Sequence, residues 1–241
     1  MSGCHRRNCV DVRKHMAAHT YSRLAGLMFF MPLSPPAPRT LRHTRSIEVA
    51  AYARDDGLWD LDANIRDVKT RDIQLASGLR AAGDPIHDLK LRITIDREFN
   101  IVAAAAASDA VPYPGVCNTI GPAYQALVGL NLMQHFRLHI KDRLHGVLGC
   151  THLSELAQVL PTAAVQAYAN EVLSTHEGAT DDHTATERPF QLDRCSALRI
   201  DGPAVAKFYP RWAEPAPSGA PVVAVPSNRI SQSVTEEGKP A

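Results

Sequence analysis

At 241 residues, 45% hydrophobic and 21% charged with a net charge of +1, the chain has an ordinary globular make-up. It is long enough for one good-sized domain or two small ones. Five basic residues fall in residues 1–30 against one acid, Asp11, leaving 21 basic and 24 acidic residues in the remainder. That slightly acidic body argues against a nucleic-acid groove, and no apolar run approaches the ~20 residues a membrane span needs.

Cys4 and Cys9 lie in the basic leader, and only Cys117, Cys150 and Cys195 lie in the body. Their odd number and wide spacing exclude a disulfide framework and point to a reduced, cytoplasmic protein. Residues 1–41 read as a leader, first basic and His-rich, then stiffened by Pro32, Pro35, Pro36 and Pro38. Its apolar run, Leu27–Phe30, is short and lacks a small-residue cleavage motif, so an over-extended start with Met31 as the true initiator is the simpler reading.

From Thr44 the hydrophobic period is two. Ile47, Val49 and Ala51 alternate with polar or small residues, as on a strand with one buried face. Asp55-Asp56-Gly57 is a turn, and Trp59, Leu61, Ala63 and Ile65 alternate with Asp60, Asp62, Asn64 and Arg66, which completes a hairpin. Ile73 and Leu75 extend that strand before a loop, Ser77–Pro85, whose glycines and proline disfavour regular structure. A second hairpin follows, with Leu89, Leu91, Ile93 and Ile95 on one face, a turn at Arg97–Asn100, and a strand through the alanines to Ala107.

Asp109–Cys117 is a shaped loop, because Pro112, Pro114 and Gly115 forbid helix. A helix is expected near Pro122 with Tyr124, Leu127 and Val128 as its stripe. A second, Gln134–His145, carries Phe136, Ile140 and Leu144 and stops at Gly146. The stretch Gly146–Leu156 is the pivot between the sheet and a long helix. Thr151 is the expected N-cap, and the positive end of the helix dipole faces Cys150 and His152. Leu153, Leu156, Leu160, Ala163, Ala164 and Ala167 form the helical stripe, which Pro161 is expected to kink or split. Ser174–Glu187 is polar and reads as disordered. Cys195–Trp212 regains apolar residues, and 213–241 is a Pro/Ala/Ser-rich disordered tail.

The pattern predicts an α+β fold: a mainly antiparallel sheet of two β-hairpins (about 44–107), then helices packed on one face, in a single domain of residues 42–212. Six motifs in order resemble the bacterial family named domain of unknown function 2889: Asp56–Asp60, Asp67–Thr70, Pro85–Asp88, Pro112–Cys117, Gly149–Leu153 and Tyr209–Trp212. The resemblance covers about Arg42–Trp212 and implies an α+β domain in cytoplasmic bacterial proteins, often encoded beside aromatic or lipid-like catabolic genes. Lyases that release formaldehyde from lignin-derived diaryl compounds look similar to it.

Four constellations stand out. His87, Asp88, Asp109, Tyr113 and His152 are candidates for acid/base catalysis, against the plainer reading that His87-Asp88 is a turn pair. Cys117, Cys150, His152 and Cys195 have no metal-ligand spacing, so no metal site is assigned. Cys150 could be a nucleophile, although a packed thiol at a helix start is the commoner case. Lys69, Arg92, Asp60, Asp62 and Asp67 read as a solvated sheet face, from which Lys69 and Arg92 would bind an anionic or phenolate ligand if the sheet curled over a cavity.

The expected activity is a cofactor-independent lyase on a small aromatic ligand, with no organic cofactor because no Gly-rich phosphate loop is present. No nucleic-acid or membrane partner is expected, and a homo-oligomer is left open. The alternative is a non-catalytic ligand-binding or assembly domain.

Overall fold

The computed structural model describes residues 33–180 and 183–215; the expectations for residues 1–32 and for the tail beyond 215 lie outside them. The chain divides between Thr40 and Leu41. Residues 33–40 are exposed and contain no helix or strand.

Among the described residues of the second unit, six strands are followed by three α-helices: β1 His43–Ala53, β2 Trp59–Lys69, β3 Ile73–Leu75, β4 Gly78–Arg80, β5 Pro85–Ile95, β6 Ile101–Ala110, α1 Phe136–Leu144, α2 Thr151–Tyr168 and α3 Pro203–Phe208. β1, β2, β5 and β6 form one antiparallel sheet in that order, and β3 and β4 form a small hairpin of their own. The fold is the α+β arrangement that the alternating periods predict.

The expected loop Ser77–Pro85 is therefore partly regular: Gly78–Arg80 pairs with Ile73–Leu75, and Pro85 opens β5. Proline is tolerated there because a strand's first residue can forgo one ladder donor. The Asp56-Gly57 turn joins β1 to β2 with Gly57 at φ 84°, a conformation in which a side chain would be strained.

The core lies between one face of the sheet and the helices. Leu61, Ala63 and Ile65 of β2, Leu89, Leu91, Ile93 and Ile95 of β5, and Ile101 and Ala104 of β6 are all buried. Leu153, Leu156, Ala157, Leu160, Ala164 and Tyr168 of α2 pack against them. Each fully buried Leu or Ile contributes roughly 1.5–3 kcal/mol, so this seam dominates stability. β1 departs from the expected pattern: Ile47 is 40% exposed and Ala51 is exposed, leaving Val49 half-buried. It is the edge strand of the sheet, tied inward by Arg45, which bonds Asp67 and Glu155.

The helix expected at Pro122 is a 3-10 turn, Gly121–Leu127, with Tyr124 and Leu127 buried and Val128 beyond its end. α1 and its stripe of Phe136, Ile140 and Leu144 match the expectation. α2 runs unbroken through Pro161, so of the two expected outcomes, a kink or a split, the split does not occur. An interior proline costs about 3 kcal/mol, offset by the apolar stripe that holds both halves to one sheet. Ser174–Thr180 is irregular yet tied down, since Tyr209 donates to the Thr175 carbonyl at 3.0 Å and Thr180 to that of Phe208 at 3.2 Å. Ala185 is buried, which corrects the expectation of disorder for the described part of Ser174–Glu187.

Candidate functional site

The strand period of two puts Leu61, Ala63 and Ile65 of β2 on the core face, and the next residue of that parity is Asp67. That residue is only 3% exposed. Register places Arg45 of β1 directly opposite it on one side and His87 of β5 on the other, so three polar side chains form one row across the sheet. A break in the β2–β5 register immediately after Asp67 re-aims the end of this row.

Arg45 grips the carboxylate at both oxygens, Nε to Oδ1 at 2.9 Å and a terminal nitrogen to Oδ2 at 2.8 Å. His43 Nε2 donates to Oδ1 at 2.9 Å and His87 Nδ1 to Oδ2 at 3.0 Å. An ionised carboxylate only accepts, so both imidazoles present N–H to it, and a neutral His87 then keeps its lone pair on Nε2.

The N-terminus of α2 completes the group from above. Arg45 also donates to Glu155 at 2.6 Å, pinning the helix to the edge strand. His152 lies face to face with His87, ring centroids 3.8 Å apart and planes 32° apart, with Nε2 3.9 Å from Asp67 Oδ2. Its other nitrogen faces the Cys150 sulfur at 3.9 Å.

The expected Thr151 cap is absent. Cys150 is the N-cap residue, without a side-chain cap bond, and Thr151 is the first helical residue. Cys150 is held from outside by Tyr124, whose buried hydroxyl accepts from the Cys150 amide at 3.1 Å, donates to its carbonyl at 2.8 Å and meets Ser154 Oγ at 3.0 Å. Burial pushes the Tyr124 hydroxyl's pKa up, so it stays protonated. Gly149 just before it is obligatory for packing, because a Cβ there would stand 2.4 Å from the Leu144 carbonyl oxygen. Tyr124→Phe should cost about 1–3 kcal/mol, since it leaves the Cys150 amide without its acceptor, while the Cys150 carbonyl keeps the Ser154 amide. Thermal unfolding reads this as a fall of several degrees, and a melting point equal to wild type would remove Tyr124 from that role.

Burial works to raise the Asp67 pKa, but the hydrogen bonds of Arg45 and His43 and the Arg45 charge overcome it and hold the carboxyl well below the usual range. For His152, burial comes first, then the neighbouring His87 and Arg45; together they lower its pKa against the pull of Asp67 and Glu155. His152 is therefore a neutral imidazole at pH 7.

His87 and His152 form one wall of a cavity of about 380 Å³. The remaining wall is mostly apolar, including Leu89, Val111, Pro112, Val116 and Ile120, with Tyr113, Cys117, Cys150 and Thr151 as the polar points. Three of the five acid/base candidates (His87, Tyr113, His152) thus share one hollow. Asp88 and Asp109 do not. Asp88 accepts from Asn64 at 2.8 Å on the opposite sheet face, and Asp109 is paired with Lys90. Arg92 is held by Asp62 and lines a separate hollow of about 410 Å³ on that same outer face. Lys69 is half-buried at the end of β2 and does not line the His87–His152 cavity.

Asp67 was assigned from the sequence to the solvated face; its parity with Leu61, Ala63 and Ile65 was the available sign that it faces inward. Arg45 and His43 were not singled out at all. The sulfur-rich set also does not assemble: among the described residues, the one group of three potential ligands that converges is Asp67, His87 and His152, with ligand atoms within 4.8 Å of one another.

The row Arg45–Asp67–His87 and the histidine at the start of α2 fall inside the span matched by a family model described as protein of unknown function DUF2889, residues 43–166, just over half the chain. The chain belongs to the DUF2889 family. Of the six motifs that suggested it, only Tyr209–Trp212 lies beyond the matched span. No match to this DUF2889 protein was found among curated proteins or among solved structures. Among its described residues, no helix is long and apolar enough to cross a membrane.

Proposed function

We propose that this DUF2889 protein is an enzyme that binds a small aromatic, phenolic ligand in the His87–His152 cavity and moves a proton with that histidine pair. The observation carrying this reading is the stacked pair at 3.8 Å, backed by a buried carboxylate, at the wall of a mostly apolar hollow. A carboxylate behind an imidazole fixes its tautomer and stabilises its charged form, which is the arrangement a general base needs. Apolar walls of this size suit one or two aromatic rings. The first-turn amides of α2 and the Tyr113 hydroxyl offer donors to an anionic oxygen.

The reaction we favour is a carbon–carbon lyase step. An imidazole takes the proton of a side-chain hydroxymethyl group, and the O–H electrons become the carbonyl of released formaldehyde. The electron pair of the broken carbon–carbon bond passes to the benzylic carbon, which the imidazolium reprotonates. Such a protein would work in a bacterial cytoplasm, where Cys117, Cys150 and Cys195 stay reduced.

The test is incubation of the full chain with hydroxymethyl-bearing phenolic diaryl dimers, measuring released formaldehyde together with binding by calorimetry. Release that is lost in His152→Ala supports the lyase. Binding without release supports the non-catalytic ligand-binding alternative, which the use of Asp88 and Asp109 in ordinary side-chain pairs favours. Neither binding nor release overturns both.

A further inference from the structure

We propose that Asp67, His87 and His152 together hold one divalent first-row transition-metal ion at the wall of this cavity. The three residues come from β2, β5 and the first turn of α2, so no sequence spacing announces them. Two imidazoles and a carboxylate are the donor set of open catalytic zinc sites and of facial-triad iron sites. Such ions bind nitrogen and oxygen at about 2.0–2.2 Å, which sets ligand atoms about 3–3.5 Å apart. Here Asp67 Oδ2 lies 3.0 Å from His87 Nδ1 and 3.9 Å from His152 Nε2, and all three ligand atoms fall within 4.8 Å; His87 Nδ1, which donates its proton to Asp67 without an ion, would have to release that proton to ligate one. Closing onto an ion requires contraction by no more than about 1.5 Å, with the rings swinging out of their stack so that their lone pairs converge.

The surroundings fit a ligating carboxylate. Arg45 and His43 hold Oδ1, as outer hydrogen-bond partners orient metal ligands elsewhere. Arg45 also grips Oδ2, but it is shared with Glu155, so two carboxylates flank the one guanidinium beside the proposed site. The open positions would face the cavity. Among the described residues no Lys or Arg lines that cavity, so the ion would supply positive charge that the lining side chains do not.

The inference rests on the site of the proposed function but gives the two imidazoles a different task, since a lone pair bound to an ion cannot also take the hydroxyl proton; its test is therefore separate. The full chain is stripped with a chelator and titrated with Zn²⁺ by calorimetry and with Co²⁺ by visible absorption. One ion per chain is expected, with proton release and with Co²⁺ bands of low-symmetry nitrogen/oxygen coordination. Asp67→Asn, His87→Ala and His152→Ala should each weaken binding by more than about 100-fold, whereas His43→Ala should cost on the order of 10-fold. Circular dichroism and melting of each variant separate loss of ligand from loss of fold, and His152→Gln serves if the alanine variant unfolds. Absence of stoichiometric binding in the folded chain, or binding indifferent to His152, overturns the inference. Formaldehyde release persisting in the chelated, metal-free protein would leave the proposed function standing without the ion. Stoichiometric metal with no phenolic binding would leave the metal site and remove that function.

Discussion

Asp67→Asn is expected to lower the stability of the metal-free protein by about 2–4 kcal/mol at pH 7, a fall in melting temperature of roughly 5–12 °C. The carboxylate is almost fully buried, and it satisfies Arg45, His43 and His87 at once. An amide of the same shape cannot accept from all three, and one of its own donors would face a guanidinium. Part of the loss is softened because Arg45 is partly exposed and keeps Glu155.

The variant should also change the acid limb of stability. Asp67's pKa is depressed in the folded state, so its stabilisation is fully present above the unfolded carboxylate value of about 3.9 and drains away as pH falls toward the folded value. Wild-type stability should therefore drop steeply below about pH 4, and Asp67→Asn should drop less steeply over the same range. Urea titrations at a series of pH values check both statements. Equal stabilities at pH 7, or parallel acid limbs, would show that the row across the sheet is not an energetic centre of the fold.

His152→Ala should reduce formaldehyde release by about 10²–10⁴-fold while leaving ligand affinity within a few-fold, because the proton acceptor is removed and the apolar walls are kept. His152 is held neutral by burial and by its charged neighbours, so the wild-type kcat/KM should stay level down to the ordinary imidazole value of about 6.5 and fall only below it. The stability linkage has the same origin. Between the lowered folded pKa and about 6.5, the unfolded chain takes up a proton that the folded chain refuses, so wild-type stability rises with pH through that window and is level above it. Removing His152 should flatten that rise. An alanine variant retaining activity within ten-fold, with an unchanged pH profile, would assign proton transfer elsewhere, His87 being the next group to test.

Both predictions depend on contacts that adjacency in the chain misrepresents. His87 stands beside Asp88 in sequence, yet consecutive strand residues point to opposite faces, so Asp88 bonds Asn64 on the outer side while His87 meets Asp67, twenty residues away, on the inner side. Asp109 falls at the irregularity where the β5–β6 register shifts and turns outward to Lys90. Cys150 and His152 follow Gly146 and Gly149 at the start of α2, but the side chain that holds Cys150 in place is Tyr124, 26 residues upstream.

The order of elements, the two antiparallel hairpins, the core faces of β2 and β5 and the stripe of α2 were legible from residue order alone. Burial of one face imposes a period of two or of 3.6, and that period is local information carried by every strand or helix. Which polar groups meet is not local. It follows from the strand register that sets Arg45, Asp67 and His87 in one row, and from the docking of α2 that lowers His152 onto His87, and both are decided by packing over tens of residues. The same packing keeps α2 whole across Pro161 and leaves β1 at an exposed edge, outcomes that propensity and pattern within a short window do not contain.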